Sequence, residues 1–374
     1  MYPTIHILGL AHLPTIEKSP VWSCAYTQKV LKQCSMFKKL GYRVIFYGVE
    51  GSKVECDEHV IVLSENIRNA VYGPLEEFER KFFEHDPKDL AYQTFISNAI
   101  VEMKKRINPT DIAINPMGNY YSKIFSPVNS GGIEVCNGTP YMIEGGIGYS
   151  GIIRGPHHHH VFESNSWMSF VCGMCNAQDF DYYDTVIPNF YDPKRFPYSD
   201  QKEDYYLQVC RQTYRKGILI SKAFIEAIDG KLILAGQPGE INPKDIESKN
   251  IEYIGYVDEK EKLDLMRHAK GLLCPTLYNP PFEGVTVESM FCGSPVLTTN
   301  HGCFVETVPQ GVVGYRCSVL KDWVNADKNI ENINPEICRL WAEENFSMDV
   351  CGLKYADYFQ RFADLSENGW YTYS

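Results

Sequence analysis

Apolar residues fall into two recurring patterns along this chain: short unbroken runs, and longer stretches where they return every third or fourth position. The first run, Ile5-His6-Ile7-Leu8-Gly9-Leu10, predicts a strand. After a loop containing Pro14 and Pro20, residues 22–40 carry Ala25, Val30, Leu31, Phe37 and Leu40 near helical spacing, and Gly41 is suited to end that helix. Residues 43–48, 59–63, 111–115 and 139–143 read as further strands, and 75–83, 87–106 and 161–174 as helices. Continuous apolar runs separated by helical stretches are the pattern of a parallel sheet covered on both faces, so a doubly wound α/β domain is expected. Pro188, Pro193, Pro197 and the polar residues 199–204 then interrupt the pattern, as a domain boundary and linker would. It restarts with a strand at 205–210, a turn at 211–217, a helix to about residue 228, strands at 232–235 and 253–255, and a helix at 259–268. A strand at 271–275, a short helix opening at Gly284, a strand from Val296 and helices over 335–346 and 348–362 complete it.

Length agrees with this division: 374 residues accommodate two domains of ordinary size. The expected partition is a first Rossmann-like domain over 1–195, a second over 205–350, and a closing segment over 351–374. The N-terminus enters a strand directly and shows no signal pattern, and no apolar run approaches the ~20 residues that span a bilayer. A protein without a membrane span is the expectation. Thirteen cysteines without a regular framework leave at least one unpaired in a monomer, which fits a reducing cytoplasm. Cys210, Cys274 and Cys292 lie in apolar runs, where the side chain acts as a small hydrophobe. A net charge of −11 argues against broad attraction to nucleic acid but leaves room for a local basic groove.

Candidate chemistry gathers where strands end. Residues 139–143 empty into Glu144-Gly145-Gly146-Ile147-Gly148-Tyr149. A carboxylate at a strand's carboxyl end, followed by glycines that let a ligand approach the backbone, is a candidate site; a buried structural salt bridge is the alternative. The loop after the first strand, from Ala11 and His12, lacks the Gly-x-Gly-x-x-Gly fingerprint, so dinucleotide binding is unsupported there. Lys104-Lys105-Arg106 suits a helix C-terminus better than a binding patch. Cys172 and Cys175 form a single Cys-x-x-Cys pair, which without a second pair does not predict zinc. The run His157 to His160 would bind metal adventitiously or, more simply, lead into the amphipathic segment 161–174, where Glu163 and Trp167 lie. No metal site is assigned. The stretch from Cys274 to Thr299 reads as strand, Pro-rich turn, short helix and strand. Its helix N-terminus beside a strand's carboxyl end suits an anion, or is an ordinary strand–helix–strand unit.

That stretch resembles the donor-site signature of the retaining glycogen-synthase-like and sucrose-synthase-like glycosyltransferases of group 1, family 4 type. In these a Glu-Pro-Phe-Gly turn precedes a second glutamate eight positions after the first, then Met, a small residue, Gly, Pro and Val. Pro281, Phe282, Gly284, Glu288, Met290, Gly293, Pro295 and Val296 carry the likeness. Pro280 stands where the family's first glutamate is usual. The segment from Val186-Ile187-Pro188-Asn189 through Asp192 to Phe196 resembles the hinge closing the first domain, and Arg211 and Lys216 match the spacing of the cations that contact a donor diphosphate.

The resemblance implies a GT-B fold: two Rossmann-like domains facing a central cleft, with the C-terminal helix crossing back to the first. It implies transfer of a sugar from a nucleotide-diphosphate sugar, UDP-linked in the first instance, to an acceptor hydroxyl with retention. No cofactor is required beyond the donor substrate, and the activity is metal-independent. Arg211 and Lys216 would hold the diphosphate, with N–H groups near Phe282 and Gly284. Glu288 would bind the ribose hydroxyls, and Gly236 and Val257 would border the base. Glu144 would contact the sugar or the acceptor hydroxyl; because a front-face mechanism needs no separate base, a role for Glu144 as base is secondary to that contact. Either Glu283 replaces the carboxylate missing at Pro280, or the donor is atypical, a pentose for example. His12, Tyr120 and Tyr149 are candidates for the acceptor side. The acceptor itself is open between glycan, small molecule and a hydroxymethylated DNA base; a non-catalytic nucleotide-sugar binder and a GT-B sugar epimerase are the readings from another class.

Overall fold

A computed structural model describes residues 3–17, 21, 24–79, 86–115, 121, 124–126, 133–134, 141–145, 159–177 and 180–365. The chain forms two compact units. One comprises residues 1–163, 168–187 and 352–374, and the other 164–167 and 188–351. The chain thus enters the second unit at Pro188, ahead of the 190–204 segment, and leaves it after Cys351.

The first unit runs β1 (Thr4–Leu8), α1 (Ala25–Lys39), β2 (Arg43–Val49), β3 (Glu58–Leu63), α2 (Glu65–Tyr72), α3 (Leu90–Lys104) and β4 (Ile112–Asn115). The short strands β5 (Phe125–Ser126) and β6 (Ile133–Glu134), then β7 (Tyr141–Glu144), β8 (Val161–Phe162), α4 (Asn165–Met174) and β9 (Thr185–Val186) follow. Its main sheet has the order β3-β2-β1-β4-β7, and each neighbouring pair is parallel. β1 is buried except at its first residue, which explains why it reads as an unbroken apolar run. His6 in that strand is satisfied internally: Nδ1 lies 2.9 Å from the Tyr47 hydroxyl and Nε2 3.3 Å from Asp111 Oδ2.

Two expectations for this unit are corrected. The helix expected over 75–83 is a 3-10 turn at Leu75–Glu79 as far as the described residues extend, and the true helix is α2, ahead of it. Ser64 caps α2 by accepting from the Ile67 amide, and the residues α2 buries are Arg68 and Tyr72, so no apolar periodicity announces it. The segment 161–174 is not one helix either. Val161 and Phe162 pair with Thr185 and Val186 as strand, and Ser164 Oγ then accepts from the Trp167 amide at 3.1 Å to start α4. Glu163 therefore lies outside the helix, where it is buried and paired with Lys29 at 2.8 Å.

The second unit holds β10 (Glu203–Val209), α5 (Ile218–Ile228), β11 (Leu232–Ala235), α6 (Pro243–Ile246), β12 (Ile251–Gly255), α7 (Glu259–His268), β13 (Ala269–Cys274) and α8 (Gly284–Phe291). It continues with β14 (Val296–Thr299), α9 (Phe304–Thr307), β15 (Gly314–Cys317), α10 (Leu320–Asp327) and α11 (Pro335–Phe346). Its sheet, ordered β12-β11-β10-β13-β14-β15, is parallel throughout. Glu203 and Asp204, expected in a linker, already belong to β10. The core packs α8 and α11 against the sheet, with Met266, Leu272, Val287, Met290, Phe291 and Val296 among its members. Arg339 of α11 donates to the carbonyls of Pro193, Phe196 and Phe291, and so ties the entering chain to the end of α8.

The last helix, α12 (Met348–Leu365), belongs from Gly352 onward to the first unit, as the fold expectation requires. Phe37 of α1 lies 5.4 Å from Tyr355 and 5.5 Å from Phe359, centroid to centroid. Gly369, Trp370 and Tyr371, in the closing segment, lie outside the described residues.

Twelve cysteines among the described residues are free thiols. Burial pushes those of Cys292, Cys317 and Cys338 up to about 12. An ordinary thiol ionises near 9.0, so between that pH and about 12 the unfolded chain releases protons that the folded chain keeps. Stability is therefore fully present below pH 9 and drains as pH rises, by about 1.4 kcal/mol per pH unit for each such thiol. Denaturant unfolding should give a flat free energy from pH 7 to 8.5 and a steep fall by pH 10.5, with the fall reduced in a Cys317→Ala/Cys338→Ala variant.

Candidate donor site

In an open parallel sheet the ligand crevice lies beyond the carboxyl ends of the two strands between which strand order reverses. In the second unit those strands are β10 and β13. The loops that follow them carry Arg211 to Lys216 and Tyr278 to Glu283.

One glycine presses these loops together, and a second brings the end of β11 onto the end of β10. Gly217, at φ +69°, closes the 3-10 turn Tyr214–Lys216 and starts α5. A Cβ there would stand 1.9 Å from the Pro275 carbonyl oxygen, so only glycine lets the two backbones meet. The Leu277 amide donates to the Arg215 carbonyl at 2.9 Å, and Gln208 Nε2 to that of Lys216 at 3.0 Å. Gly236, at φ +131°, makes an equivalent approach at the end of β11, where a Cβ would lie 1.9 Å from the Cys210 carbonyl oxygen.

Lys216 and Glu283 form an ion pair across the junction, with side chains 21% and 8% exposed. The Tyr278 hydroxyl donates to the other carboxylate oxygen at 3.0 Å. The Arg215 guanidinium lies 4.0 Å from the Tyr278 ring centroid, which adds a cation–π contact. Burial alone would lower the Lys216 pKa, but the Glu283 carboxylate outweighs it and holds the ammonium charged, above its ordinary value. Glu283 is also the residue before α8 and takes the left-handed conformation at φ 57°. Glycine takes that conformation without the Cβ penalty. The glycine of the motif falls one position later, at Gly284, where a Cβ would stand 2.3 Å from the Tyr191 hydroxyl.

Within α8 every residue from Thr286 to Phe291 is buried. Glu288 among them is a charged group in the middle of a packed helix, which physical chemistry tolerates only with a partner. Lys262 of α7 supplies it, Nζ to Oε2, at 2.7 Å. Arg211 is exposed at the bend after β10. Phe282 is core, 2% exposed and edge-on to Phe346 at 5.5 Å, and Val257 is buried too; at both, only the backbone is a candidate for ligand contact.

Other expected residues fall in the first unit. Glu144 is the last residue of β7, with its Cα opposite Asn115, at the carboxyl end of the sheet. His12 is buried in the loop after β1, its ring 6.0 Å from that of Tyr72. Tyr120 and Tyr149 lie outside the described residues, as do His157 and His158. His160 immediately precedes β8, with Nδ1 2.6 Å from Asp184 Oδ1; with Asp181 these residues bring three possible metal-binding atoms within 4.8 Å of one another. Asp184 Oδ2 already accepts from the Asp181 amide at 3.0 Å, so the group is explained as a capped turn. Among the described residues no helix is long and apolar enough to cross a membrane.

Solved structures share this architecture over nearly the whole chain. Sucrose-phosphate synthase from Thermosynechococcus elongatus superposes with a TM-score of 0.69 at 13% identity, covering 98% of this chain and 100% of that one. AviGT4, a glycosyltransferase involved in avilamycin A biosynthesis, gives 0.64 at 20% identity, covering 97% and 98%. HepE from Anabaena, in complex with UDP and glucose, gives 0.61 at 12% identity, covering 96% and 100%. The fold is therefore that of the GT-B glycosyltransferases. Residues 207–342, within the second unit, match the model of the family described as glycosyl transferases group 1. The Dictyostelium discoideum alpha-1,3/1,6-mannosyltransferase ALG2 is 38% identical over 80 residues, a match spanning 20% of this chain and 18% of that protein.

The motif pointed to Lys216, Glu283 and Glu288. It did not point to Tyr278 or Lys262: Tyr278 stands inside the quoted stretch without a role in it, and Lys262 is one of several charges in Glu259-Lys260-Glu261-Lys262. Removing one member of a buried pair strands the other. Lys216→Met should therefore destabilise the ligand-free protein by about 2–3 kcal/mol, and Lys216→Met/Glu283→Gln should recover most of the loss, as read by urea unfolding. Equal losses in the single and double variants would mean that the pair does not couple.

Proposed function

We propose that the protein is a glycosyltransferase that moves a sugar from a nucleotide-diphosphate sugar, a UDP-sugar in the first instance, to an acceptor hydroxyl with retention of anomeric configuration. The observation that carries this reading is the pairing of Lys216 with Glu283 across the two loops beyond the carboxyl ends of β10 and β13, with Arg211 on the same loop as Lys216 and Glu288 in the helix that Glu283 precedes. The group 1 family match of this unit and the UDP and UDP-glucose held by HepE support it.

Each residue then has a chemical task. Breaking the bond between sugar and diphosphate leaves growing negative charge on the departing phosphate, and Arg211 and Lys216 offset it; donors aimed at such charge contribute roughly 10²–10³ in rate. Lys216 is kept protonated by Glu283, so it needs no proton uptake to act. Glu288 accepts from the ribose hydroxyls. In a front-face reaction the leaving phosphate oxygen takes the acceptor's proton as the new glycosidic bond forms, so no separate base is needed. Glu144 is assigned to sugar or acceptor contact.

Glu283 is the replacement for the carboxylate that Pro280 cannot supply. Its carboxylate is held at the diphosphate end of the site, by Lys216 and Tyr278. There it accepts from a hydroxyl on the sugar nearest the phosphate, an interaction worth about 1.5–3 kcal/mol. No element of this mechanism calls for a cofactor or a metal.

The test is nucleotide release from a panel of UDP-, GDP- and ADP-sugars, with and without acceptors that include simple glycosides, small aglycones and hydroxymethylcytosine DNA. One donor is expected to give acceptor-dependent release. Arg211→Met should lower its kcat by roughly 10²-fold. Glu283→Gln should raise the KM of the sugar donor about tenfold or more while leaving affinity for the free nucleoside diphosphate undiminished. Binding without transfer, or conversion of the donor into an isomeric nucleotide sugar, would replace the reading by a binder or an epimerase.

A further inference from the structure

Glu288 is 7% exposed, and among the described residues its carboxylate has one hydrogen-bond partner, the Lys262 ammonium. Conversely, Glu288 is the one hydrogen-bond partner of that ammonium among the described residues. Lys262 lies in the first turn of α7, where Asp258 Oδ1 accepts from the Glu261 amide and fixes the helix start. Glu288 lies in the middle of α8. Two rigid elements therefore present one cation and one anion to each other, 26 residues apart in sequence.

A carboxylate that recognises a diol must be ionised, because only then is it an acceptor on both oxygens, and it must be held in one orientation. A cation at hydrogen-bond distance fixes that orientation, uses one acceptor position on Oε2, and leaves Oε1 and the second position on Oε2 for ligand hydroxyls. We propose that Lys262 is a positioning residue for nucleotide recognition: it holds the Glu288 carboxylate in one orientation, and the two act as a unit that selects ribose over 2′-deoxyribose. The proposal rests on the reading of Glu288 as the ribose ligand. Selectivity of this kind is steep because a ligand lacking the hydroxyl leaves a buried charged acceptor short of a partner.

The test compares a nucleoside diphosphate, chosen as the tightest of UDP, GDP and ADP, with its 2′-deoxy counterpart by calorimetric titration of the whole chain. The wild type should bind the ribonucleotide ten- to a hundredfold more tightly. Glu288→Gln should lower that ratio to within about threefold of unity. Lys262→Met should lower it equally, while changing affinity for the deoxynucleotide by less than twofold. The double variant Lys262→Met/Glu288→Gln, which strands no charge and keeps the test open if Lys262→Met folds poorly, should match Glu288→Gln alone. A merely structural salt bridge predicts otherwise: Lys262→Met would lower the unfolding midpoint but keep the ratio, or the two substitutions would reduce it additively, and either result overturns the proposal while Glu288 keeps its role. A wild type that binds ribo- and deoxynucleotide equally, or binds neither, overturns the assignment of Glu288 and the proposal with it.

Discussion

Much of the second unit depends on one close approach of backbone to backbone. The Gly217 Cα lies against the Pro275 carbonyl with no room for a methyl group, which brings the turn after β10 onto the loop after β13. Without that contact, the loops bearing Lys216 and Glu283 would stand apart, each having to satisfy its own charge. With it, the side chains pair at the junction, Tyr278 braces the carboxylate, and Arg215 packs on the Tyr278 ring. A parallel sheet leaves this place open in any case, because its strand order reverses between β10 and β13. The glycine converts a general property of the topology into a defined set of charges.

Glu283 shows what that arrangement costs. A non-glycine residue at φ 57° carries strain of order 1 kcal/mol, which persists only where the surroundings fix it. Here they do. Gly284 cannot carry a side chain because Tyr191 fills its space, the Thr286 hydroxyl and amide both bond the Glu283 carbonyl, and Lys216 and Tyr278 hold the carboxylate. Backbone and side chain of Glu283 are thus fixed independently. That is the form expected of a residue kept for its charge, since glycine would suit the backbone better.

The sheets were legible because parallel strands buried on both faces write themselves as unbroken apolar runs. β2, β11 and β14 show this, and the helices α5, α7, α8 and α11 appear where glycine, proline or Asp caps mark their ends. Where burial is carried by polar residues the signal disappears. α2 buries Arg68, whose Nε donates to the His12 carbonyl, and Tyr72, so hydrophobic spacing could not find it. The segment from Val161 was misread for the opposite reason: two apolar residues of a short strand precede an apolar helix, and only the Ser164 cap separates them. In the site, Lys216 and Glu288 were legible through a motif, whereas Lys262 was not. Its importance comes from a partner on another helix, and nothing local distinguishes it from its charged neighbours.

The two buried ion pairs of this domain meet different demands, and their surroundings reflect it. On the proposed reading a diphosphate, itself an anion, competes with Glu283 for Lys216. The pair at the loop junction must therefore give way in part as ligand enters, and its cation is the more exposed partner. Ribose hydroxyls are neutral and do not compete with Lys262 for its charge; they add to the carboxylate instead. The Lys262–Glu288 pair can stay closed throughout, and it sits between two helices with both side chains less than a fifth exposed. One pair is placed where charge must be exchanged and the other where it must be kept. Under the proposed function, that division follows from the chemistry of the two halves of a nucleotide.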